Sequence, residues 1–267
     1  MPNLQQIIAL RKKYASQQQI RDAFNTEFDK LEKHFEYETI EKAFASEHFN
    51  SLMEHVNPRE EYFSITKEKQ TSSIIKYFEQ QKEENVVLLF IDITHFSHKT
   101  QDKSSKEITS LLNNYYQKLM PIIYKYGGEI EKIMGDGVIC IFGEPFLKSI
   151  RIEEKFIKAE KCAVEIIRTF KDTFYEVKIA LHDGPIMYYK TPSEYYEEYT
   201  MIGNTLTELY RLESVSQSNG INYFMDRGYD KLTTKVTYFN KNYWRFTSDK
   251  YYLSGIGFKI VKSLIRI

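Results

Sequence analysis

The sequence has few cysteines, no long apolar run and no excess of charge of either sign. Its two cysteines, Cys140 and Cys162, form no metal-binding or redox pattern, and no stretch of about 18 apolar residues offers a membrane span. The 37 Lys and Arg residues balance 37 Asp and Glu residues, so no overall field attracts nucleic acid. The N-terminal residues lack the apolar core of a signal peptide. These absences argue against membrane insertion and a nucleic-acid partner, and they predict a protein of the reducing cytoplasm.

The chain divides into two parts on its composition. With 267 residues, it is long enough for one domain of ordinary size and an additional segment. Residues 4–56 repeat apolar side chains at roughly helical spacing, which predicts two or three amphipathic helices. The polar stretch at 80–85 is the predicted boundary. We therefore expect a helical region at 1–84, for packing, dimerisation or regulation, and a second domain at 85–267.

Strands and helices mix in the second domain without strict alternation. Residues 86–91, VVLLFI, are typical of a strand buried on both faces. Helices are predicted at 104–126, 152–173 and 204–214, and strands at 129–134, 138–142, 177–181, 186–189, 221–225, 236–240 and 251–260. The pattern predicts an α+β sandwich, with helices against a mostly antiparallel sheet.

Two aspartates stand where carboxylates can meet. Asp92 ends the apolar strand, and Asp136 lies in a Gly-Asp-Gly turn between two strands. Taken singly, each has an ordinary structural interpretation, as a helix N-cap and as the Asp of an Asp-Gly turn. Brought together, and helped by a backbone carbonyl such as that of Ile93, they can hold two divalent cations about 3.5–4 Å apart. Such a pair suits an in-line displacement at phosphorus.

Four ordered segments resemble the class III nucleotidyl cyclases. Residues 90–97, FIDITHFS, match the family's F-x-D-I-x-x-F-[ST], and residues 132–137, KIMGDG, match its K-x-x-G-D-G. Residues 180–185, ALHDGP, resemble G-[IL]-H-x-G-P. Residues 201–205 and 211–214, MIGNT and RLES, resemble the two ends of the family's G-[DN]-T-V-N-x-A-x-R-L-E-S helix. The resemblance covers about residues 86–262.

The resemblance implies a ferredoxin-like cyclase sandwich that makes a 3′,5′-cyclic nucleotide from a nucleoside triphosphate. Asp92 and Asp136 would bind two Mg²⁺ or Mn²⁺ ions, with the Ile93 carbonyl helping. A turn would cradle the triphosphate with backbone N–H groups at a helix start, which the partial charge of a helix N-terminus independently favours. The residues of this turn are Thr94, His95, Phe96 and Ser97.

The same resemblance implies the parts that select the base and complete the site. Lys132 and Thr200 occupy the base-recognition positions, and Arg211 the position that meets transition-state charge at the α-phosphate. A Lys–Thr pair goes with adenine, since Lys donates to N1 and Thr accepts from the N6 amino group. ATP is therefore the leading substrate. In the family's head-to-tail homodimer, the metal-binding aspartates of one chain face these three residues of the other.

Two positions depart from the family pattern. Thr207 stands where the family usually has an Asn that orients the ribose or the transition state, and it keeps a donor and an acceptor on a shorter side chain. Ser254 replaces a lysine that would hold the terminal phosphates, which predicts weaker triphosphate binding. Lys259 or Lys262 could compensate. The change at Thr207 weakens the expectation of fast turnover.

Two further interpretations stay open beside an adenylate cyclase. One keeps the mechanism and changes the base to cytosine or uracil, as in pyrimidine cyclases of bacterial anti-phage defence. The other is a pseudo-cyclase that binds nucleotide or only dimerises and regulates a partner. The histidines His95, His98 and His182 are expected in loop or packing roles rather than as metal ligands.

Overall fold

The computed structural model describes residues 74–147, 151–191, 198–227 and 244–266. Residues 74–79 are helical. The elements that follow are β1 (Glu83–Ile93), α1 (Phe96–Thr100), α2 (Ser105–Lys125), β2 (Glu129–Met134), β3 (Gly137–Phe142), α3 (Ile152–Phe170), β4 (Val177–Lys190), β5 (Tyr199–Ile202), α4 (Asn204–Ser214), β6 (Gly220–Phe224), a 3₁₀ turn (Met225–Arg227), β7 (Trp244–Leu253) and β8 (Gly257–Arg266). The helices predicted within 4–56 and the strand predicted at 236–240 lie outside the described residues.

The strands form one sheet in the order β2-β3-β1-β4-β6-β8-β7, and β5 pairs with the end of β4. Every neighbouring pair is antiparallel except β4 and β6, which run parallel. The α+β class and the mostly antiparallel sheet predicted from the sequence are confirmed. No helix in the described part of the chain is long and apolar enough to cross a membrane.

The central strand β1 is buried on both faces, as its continuous apolar run predicts. Val87, Leu89 and Ile91 pack with α2 and α3 in one core. On the opposite face, the second core combines β1 residues, residues of α4, and Ile74 and Phe78 of the preceding helical turn. Alternation along one strand therefore supplies both cores, and this explains why the run carries no polar residue until Asp92.

One continuous strand, β4, replaces the two strands predicted at 177–181 and 186–189. The two predicted ranges leave Gly184-Pro185 between them, and proline lacks the N–H that a ladder uses. On one side, β4 pairs with β1 through this segment. On its other side, β6 pairs only around Ile179 and Ala180, and β5 only from Met187 onward. Pro185 therefore lies where no neighbouring strand uses its amide position.

A tight turn interrupts the strand predicted at 251–260. Residues 254–256 connect β7 to β8, and the ladder continues up to the pair Leu253 and Gly257. Gly255 and Gly257 have φ angles of 86° and 79°, a region that favours glycine. The helix predicted at 152–173 also ends early, at Phe170.

Candidate active site

Asp92 is held at the end of the central strand. Its side chain is half-buried, and Lys178 of β4 is its direct cross-strand neighbour. The registers of β1 with β3 and β4 on its two sides fix the position of this carboxylate.

Asp136 is carried by the turn between β2 and β3. Gly135 adopts a φ of 62°, and the Tyr116 hydroxyl donates a hydrogen bond to its carbonyl. A Cβ atom on Gly137 would lie 2.9 Å from the Phe90 ring, so the missing side chain lets the turn pack against β1. Since β3 pairs with β1, the turn lies beside the strand end that carries the first aspartate.

The two carboxylates interact directly. Burial, together with the negative charge of Asp136 and a hydrogen bond to it, raises the pKa of Asp92 to about 6, against the opposing effect of Lys178. Burial also raises the pKa of Asp136, although hydrogen bonds from its own amide, from Asp92 and from the Ile93 amide act to lower it. Two sheltered carboxylates with raised proton affinity form an arrangement that a divalent cation relieves.

The surrounding atoms fit the divalent cations that the sequence implies. Carboxylate and backbone carbonyl oxygens are the hard ligands that Mg²⁺ and Mn²⁺ prefer. Nearby Thr94 is buried, and its Oγ1 has no hydrogen-bond partner among the described residues. No group of three or more His, Cys, Asp or Glu side chains in the described ranges is arranged to hold a metal. Further ligands would therefore come from backbone, water or a bound phosphate.

The turn after β1 differs in one respect from the expected phosphate cradle. The Thr94 amide already donates to the Glu176 carbonyl at 2.8 Å. His95 is the residue before the short helix α1, with a φ of 56° and no capping hydrogen bond from its side chain. Its amide and those of Phe96 and Ser97 precede or begin that helix. In the described part of the chain, the other three expected amides donate to no backbone carbonyl and remain for a phosphate.

Lys178 connects the aspartate pair to helix α4. Its Nζ lies 3.5 Å from Asp92 Oδ2 and 2.6 Å from Glu213 Oε1. The three side chains are only 16–23% exposed, so water screens them incompletely. Burial alone would lower the pKa of Lys178, but the hydrogen bond and charge of Glu213, followed by the charge of Asp92, raise it. Lys178 is therefore a fixed cation beside the aspartates.

Lys132 and Thr200 lie on β2 and β5, and both are half-buried. The register of β2 shifts between Ile130 and Lys132, so Glu131 is an extra residue in the strand. The charge of Glu198, at the start of the β5 segment, contributes to the raised pKa of buried Glu131, behind the larger effect of burial. The β2 and β5 segments, which carry the two positions implied for base recognition, are thus electrostatically close.

Arg211 and Thr207 lie one turn apart on the exposed face of α4. The opposite face is buried through Leu209 and Leu212. Glu213 follows Arg211 by two residues, or about 200° around the helix, so the two side chains leave α4 in opposite directions. The carboxylate turns toward the aspartate pair of its own chain, and the guanidinium turns outward.

Close contact with β4 fixes the start of α4. Thr205 Oγ1 donates a hydrogen bond of 2.6 Å to the Pro185 carbonyl. A Cβ atom on Gly184 would lie 2.6 Å from Thr205 Oγ1. A Cβ atom on Gly203 would lie 3.1 Å from the Pro185 carbonyl oxygen. The Gly-Pro and Gly-Asn segments of the two family-like motifs therefore meet in space, with no room for larger side chains.

Ser254 lies exposed in the β7–β8 turn, where the family pattern has a lysine. The two lysines considered as replacements are both engaged elsewhere. Lys259 Nζ is 2.7 Å from Asp226 Oδ2, and Lys262 Nζ lies 5.0 Å from the centre of the Phe246 ring. In this arrangement neither supplies the missing phosphate contact.

The structure shows a packing role for one of the three histidines, His182. His182 is fully buried in β4, packs edge-on against Phe224 and shares a 2.6 Å hydrogen bond between its Nε2 and Glu208 Oε2. This is a packing role. His95 and His98 belong to the α1 turn.

No role for Lys178 or Glu213 is predicted from the sequence. A lysine in the strand VKIALH interrupts an apolar pattern, and this is the signal that could have identified it. Glu213 is part of the RLES segment, but nothing in the sequence says which side chain it faces.

The sequence pattern of the adenylate and guanylate cyclase catalytic domain matches residues 78–251. Among curated proteins, the chain is 24% identical over 154 residues to adenylate cyclase type 10 of Homo sapiens, which covers 51% of this chain and 9% of that protein. It is 20% identical over 147 residues to adenylate cyclase 1 of Rhizobium meliloti, covering 51% and 22%. The chain thus spans a small part of these relatives.

Solved structures include cyclases of both kinds. An adenylyl cyclase from P. aeruginosa gives a TM-score of 0.57 at 21% identity, covering 69% of this chain and 95% of that one. The guanylate cyclase domain from Catenaria anguillulae, in complex with GTP, gives 0.56 at 22%, covering 69% and 98%. At these identities the likeness establishes the fold alone. The family pattern covers more than half of this chain, and the chain therefore belongs to the class III adenylate and guanylate cyclase family.

Proposed function

We propose that this chain converts a nucleoside triphosphate, ATP foremost, into a 3′,5′-cyclic nucleotide and pyrophosphate, at sites shared between the two subunits of a homodimer. The observation that carries the proposal is the pair of facing carboxylates, Asp92 and Asp136, held by two family-like motifs. Their raised pKa values are the electrostatic mark of a site that gains from binding cations.

The reaction is an internal displacement at the α-phosphorus. The 3′-oxygen bonds to this phosphorus, the bond to the oxygen bridging to the β-phosphate breaks, pyrophosphate leaves with the electron pair, and the hydroxyl proton passes to solvent. Two divalent cations held by Asp92 and Asp136, with the Ile93 carbonyl, would favour ionisation of the 3′-hydroxyl and neutralise triphosphate charge. The chain itself positions the reactants, which accounts for much of such catalysis.

Several backbone and side-chain groups have roles in this scheme. The amides of His95, Phe96 and Ser97 would hold phosphate oxygens. Arg211 would bind the charge that develops around the α-phosphorus, and Thr207, one turn earlier on the same face, would contact the ribose. These roles follow the matched motif positions.

The geometry of α4 supports a site shared between chains. Glu213 points toward the aspartates of its own chain, so Arg211, on the opposite side of the helix, points away from them. A guanidinium placed in this way completes a site on a second subunit. A head-to-tail homodimer provides two such composite sites.

The base preference follows from Lys132 and Thr200. A lysine donor and a hydroxyl acceptor match adenine N1 and N6, and a wrong base leaves sheltered polar groups unpaired. The relatives named above include adenylate and guanylate cyclases, so the preference rests on these two residues alone.

The test is incubation of purified protein with Mn²⁺ and each of ATP, GTP, CTP and UTP, with products identified by mass. We expect cyclic AMP as the main product, and no product from the Asp92→Ala variant. Cyclic CMP or cyclic UMP as the main product would replace adenine by a pyrimidine. Tight nucleotide binding without any product would instead support a pseudo-cyclase.

A further inference from the structure

Lys178 stands between two parts of the proposed machinery that belong to different active sites. Its Nζ lies 3.5 Å from Asp92, a proposed metal ligand, and 2.6 Å from Glu213. Glu213 lies near the C-terminal end of α4, two residues after Arg211, which we assign to the site completed by the partner subunit. One ammonium group thus touches the metal site of its own chain and the helix that serves the other site.

We propose that Lys178 is a positioning cation that competes with the metal ions for Asp92, and that Glu213 sets the strength of this competition. This inference rests on the proposed function, because it requires cations to bind at Asp92 and Asp136. When cations bind, Asp92 turns from Lys178 to the metal, and Lys178 then pairs with Glu213 alone. Metal binding thereby strengthens the ion pair that attaches α4 to β4.

The distances indicate the direction of this competition. The contact with Glu213 is a short charge-assisted hydrogen bond of 2.6 Å, whereas the contact with Asp92 is longer, at 3.5 Å. Glu213 therefore draws the ammonium group away from Asp92 and leaves that carboxylate partly available. Without Glu213, the same cation would move fully onto Asp92 and oppose the approach of a divalent ion.

This reasoning gives opposite expectations for two neighbouring substitutions. Removing the charge of Lys178 abolishes the competitor, so Lys178→Met should tighten Mn²⁺ binding by roughly three- to tenfold, the scale of one partly screened charge interaction. Glu213→Gln frees the competitor, so it should weaken Mn²⁺ binding by a similar factor. In the double variant Lys178→Met/Glu213→Gln, the second change should have no effect on affinity.

The experiment measures free Mn²⁺ by electron paramagnetic resonance in titrations of the full chain without nucleotide. Asp92→Ala and Asp136→Ala serve as reference variants that should lose the binding. If they bind Mn²⁺ as the wild type does, no metal site exists there, and the proposed function and this inference both fail. Lys178→Gln, which keeps a hydrogen-bond donor for Glu213, replaces Lys178→Met if thermal unfolding shows that the latter does not fold.

The double variant separates this inference from simple attraction by an acidic group. If Glu213→Gln weakens Mn²⁺ binding equally with and without Lys178, then Glu213 acts on the metal directly and the inference is overturned, while the proposed function stands. The same holds if Lys178→Met fails to tighten binding.

Hydrogen exchange provides a second readout at the helix. Mn²⁺ should slow amide exchange in the last turn of α4 in the wild type. It should not do so in the Lys178→Met variant, because that variant retains the metal ligands and lacks the connection. Equal protection of α4 in both proteins would contradict the coupling.

Discussion

Asp92 and Asp136 are the residues on which the proposed chemistry depends. We expect Asp92→Ala and Asp136→Ala each to lower the proposed cyclase activity by at least ~100-fold, because each removes a proposed metal ligand. Unfolding temperatures should not fall, since each change removes one of two half-buried carboxylates that disfavour each other's charge. Steady-state assays and thermal unfolding of both variants provide the measurement.

The exposed Asp102, in the turn before α2, is the matched control. Asp102→Ala should leave both activity and stability unchanged. Activity within tenfold of the wild type in either site variant would contradict the assignment of the metal ligands.

Lys132 provides a test of base selection at the level of one side chain. Changing it to glutamate replaces a donor by an acceptor, so we expect the kcat/KM for ATP to fall by about 10- to 100-fold relative to GTP, given ~1–3 kcal/mol for each sheltered group left unpaired. A matching change at Thr200 should extend the loss. The measurement is the ratio of the two kcat/KM values, with Lys106→Glu on the exposed start of α2 as the charge control. An unchanged ratio would exclude Lys132 from the base site.

Glu160 predicts a pH dependence of stability that is separate from catalysis. It is 1% exposed on α3, and burial raises its pKa to about 7. An acid whose pKa is raised on folding destabilises the fold as the pH rises through its unfolded value, and the penalty is complete above pH 7. Glu160→Gln should therefore raise the free energy of unfolding by up to about 3 kcal/mol at pH 8 and change it little at pH 4.

Urea unfolding at the two pH values measures this difference. Glu153→Gln on the exposed side of the same helix is the control. A gain that is equal at both pH values would show that packing, rather than ionisation of Glu160, is responsible.

At the scale of elements, the approach of α4 to β4 depends on Gly184. An added methyl group would lie 2.6 Å from Thr205 Oγ1, so we expect Gly184→Ala to lower the free energy of unfolding by about 1–3 kcal/mol and to reduce activity through displacement of Arg211. Thr205→Ala removes Oγ1 and Cγ2, the two atoms closest to the added methyl group. In that background Gly184→Ala should cost measurably less, which a double-mutant cycle by denaturant unfolding determines. Purely additive losses would rule out this clash.

Elements with strong local signals could be predicted closely from the sequence. The buried run of β1, the β2–β3 turn and the helix now seen as α4 all have patterns decided by neighbours in the chain. Two strand predictions were wrong, for reasons that the local sequence pattern does not contain. Pro185 is tolerated because no neighbouring strand needs its amide, and the turn at 254–256 depends on two glycines whose φ angles the sequence does not give.

The candidate site follows the same division. Family-like motifs pointed to Asp92, Asp136 and Arg211, because each motif is contiguous in sequence. The roles of Lys178 and Glu213 could not be predicted, because their contact joins a strand and a helix that are far apart in the chain. Long-range ion pairs leave no periodic signal.

For the whole molecule, the proposed sharing of each site between two subunits predicts complementation. Asp92→Ala and Arg211→Ala chains should each be inactive alone, and a mixture should regain up to about a quarter of wild-type activity, because half of the dimers formed at random contain one intact site of two. The measurement is activity after co-refolding or co-expression. Subunit exchange is verified by differently tagged chains. No recovery with exchange verified would argue against sites built from two subunits.

Because Arg211 points away from the aspartates of its own chain, a mutant chain would affect the sites of the normal chain with which it pairs. A chain that carries both Asp92→Ala and Arg211→Ala would inactivate both sites of any dimer that contains it. Expressed in equal amount with the normal chain, it would leave only normal–normal pairs active, about one quarter of the total. A chain with either lesion alone would leave about half of the activity. The double lesion would therefore act as a dominant inhibitor in a cell, whereas each single lesion would behave as a simple loss of dosage.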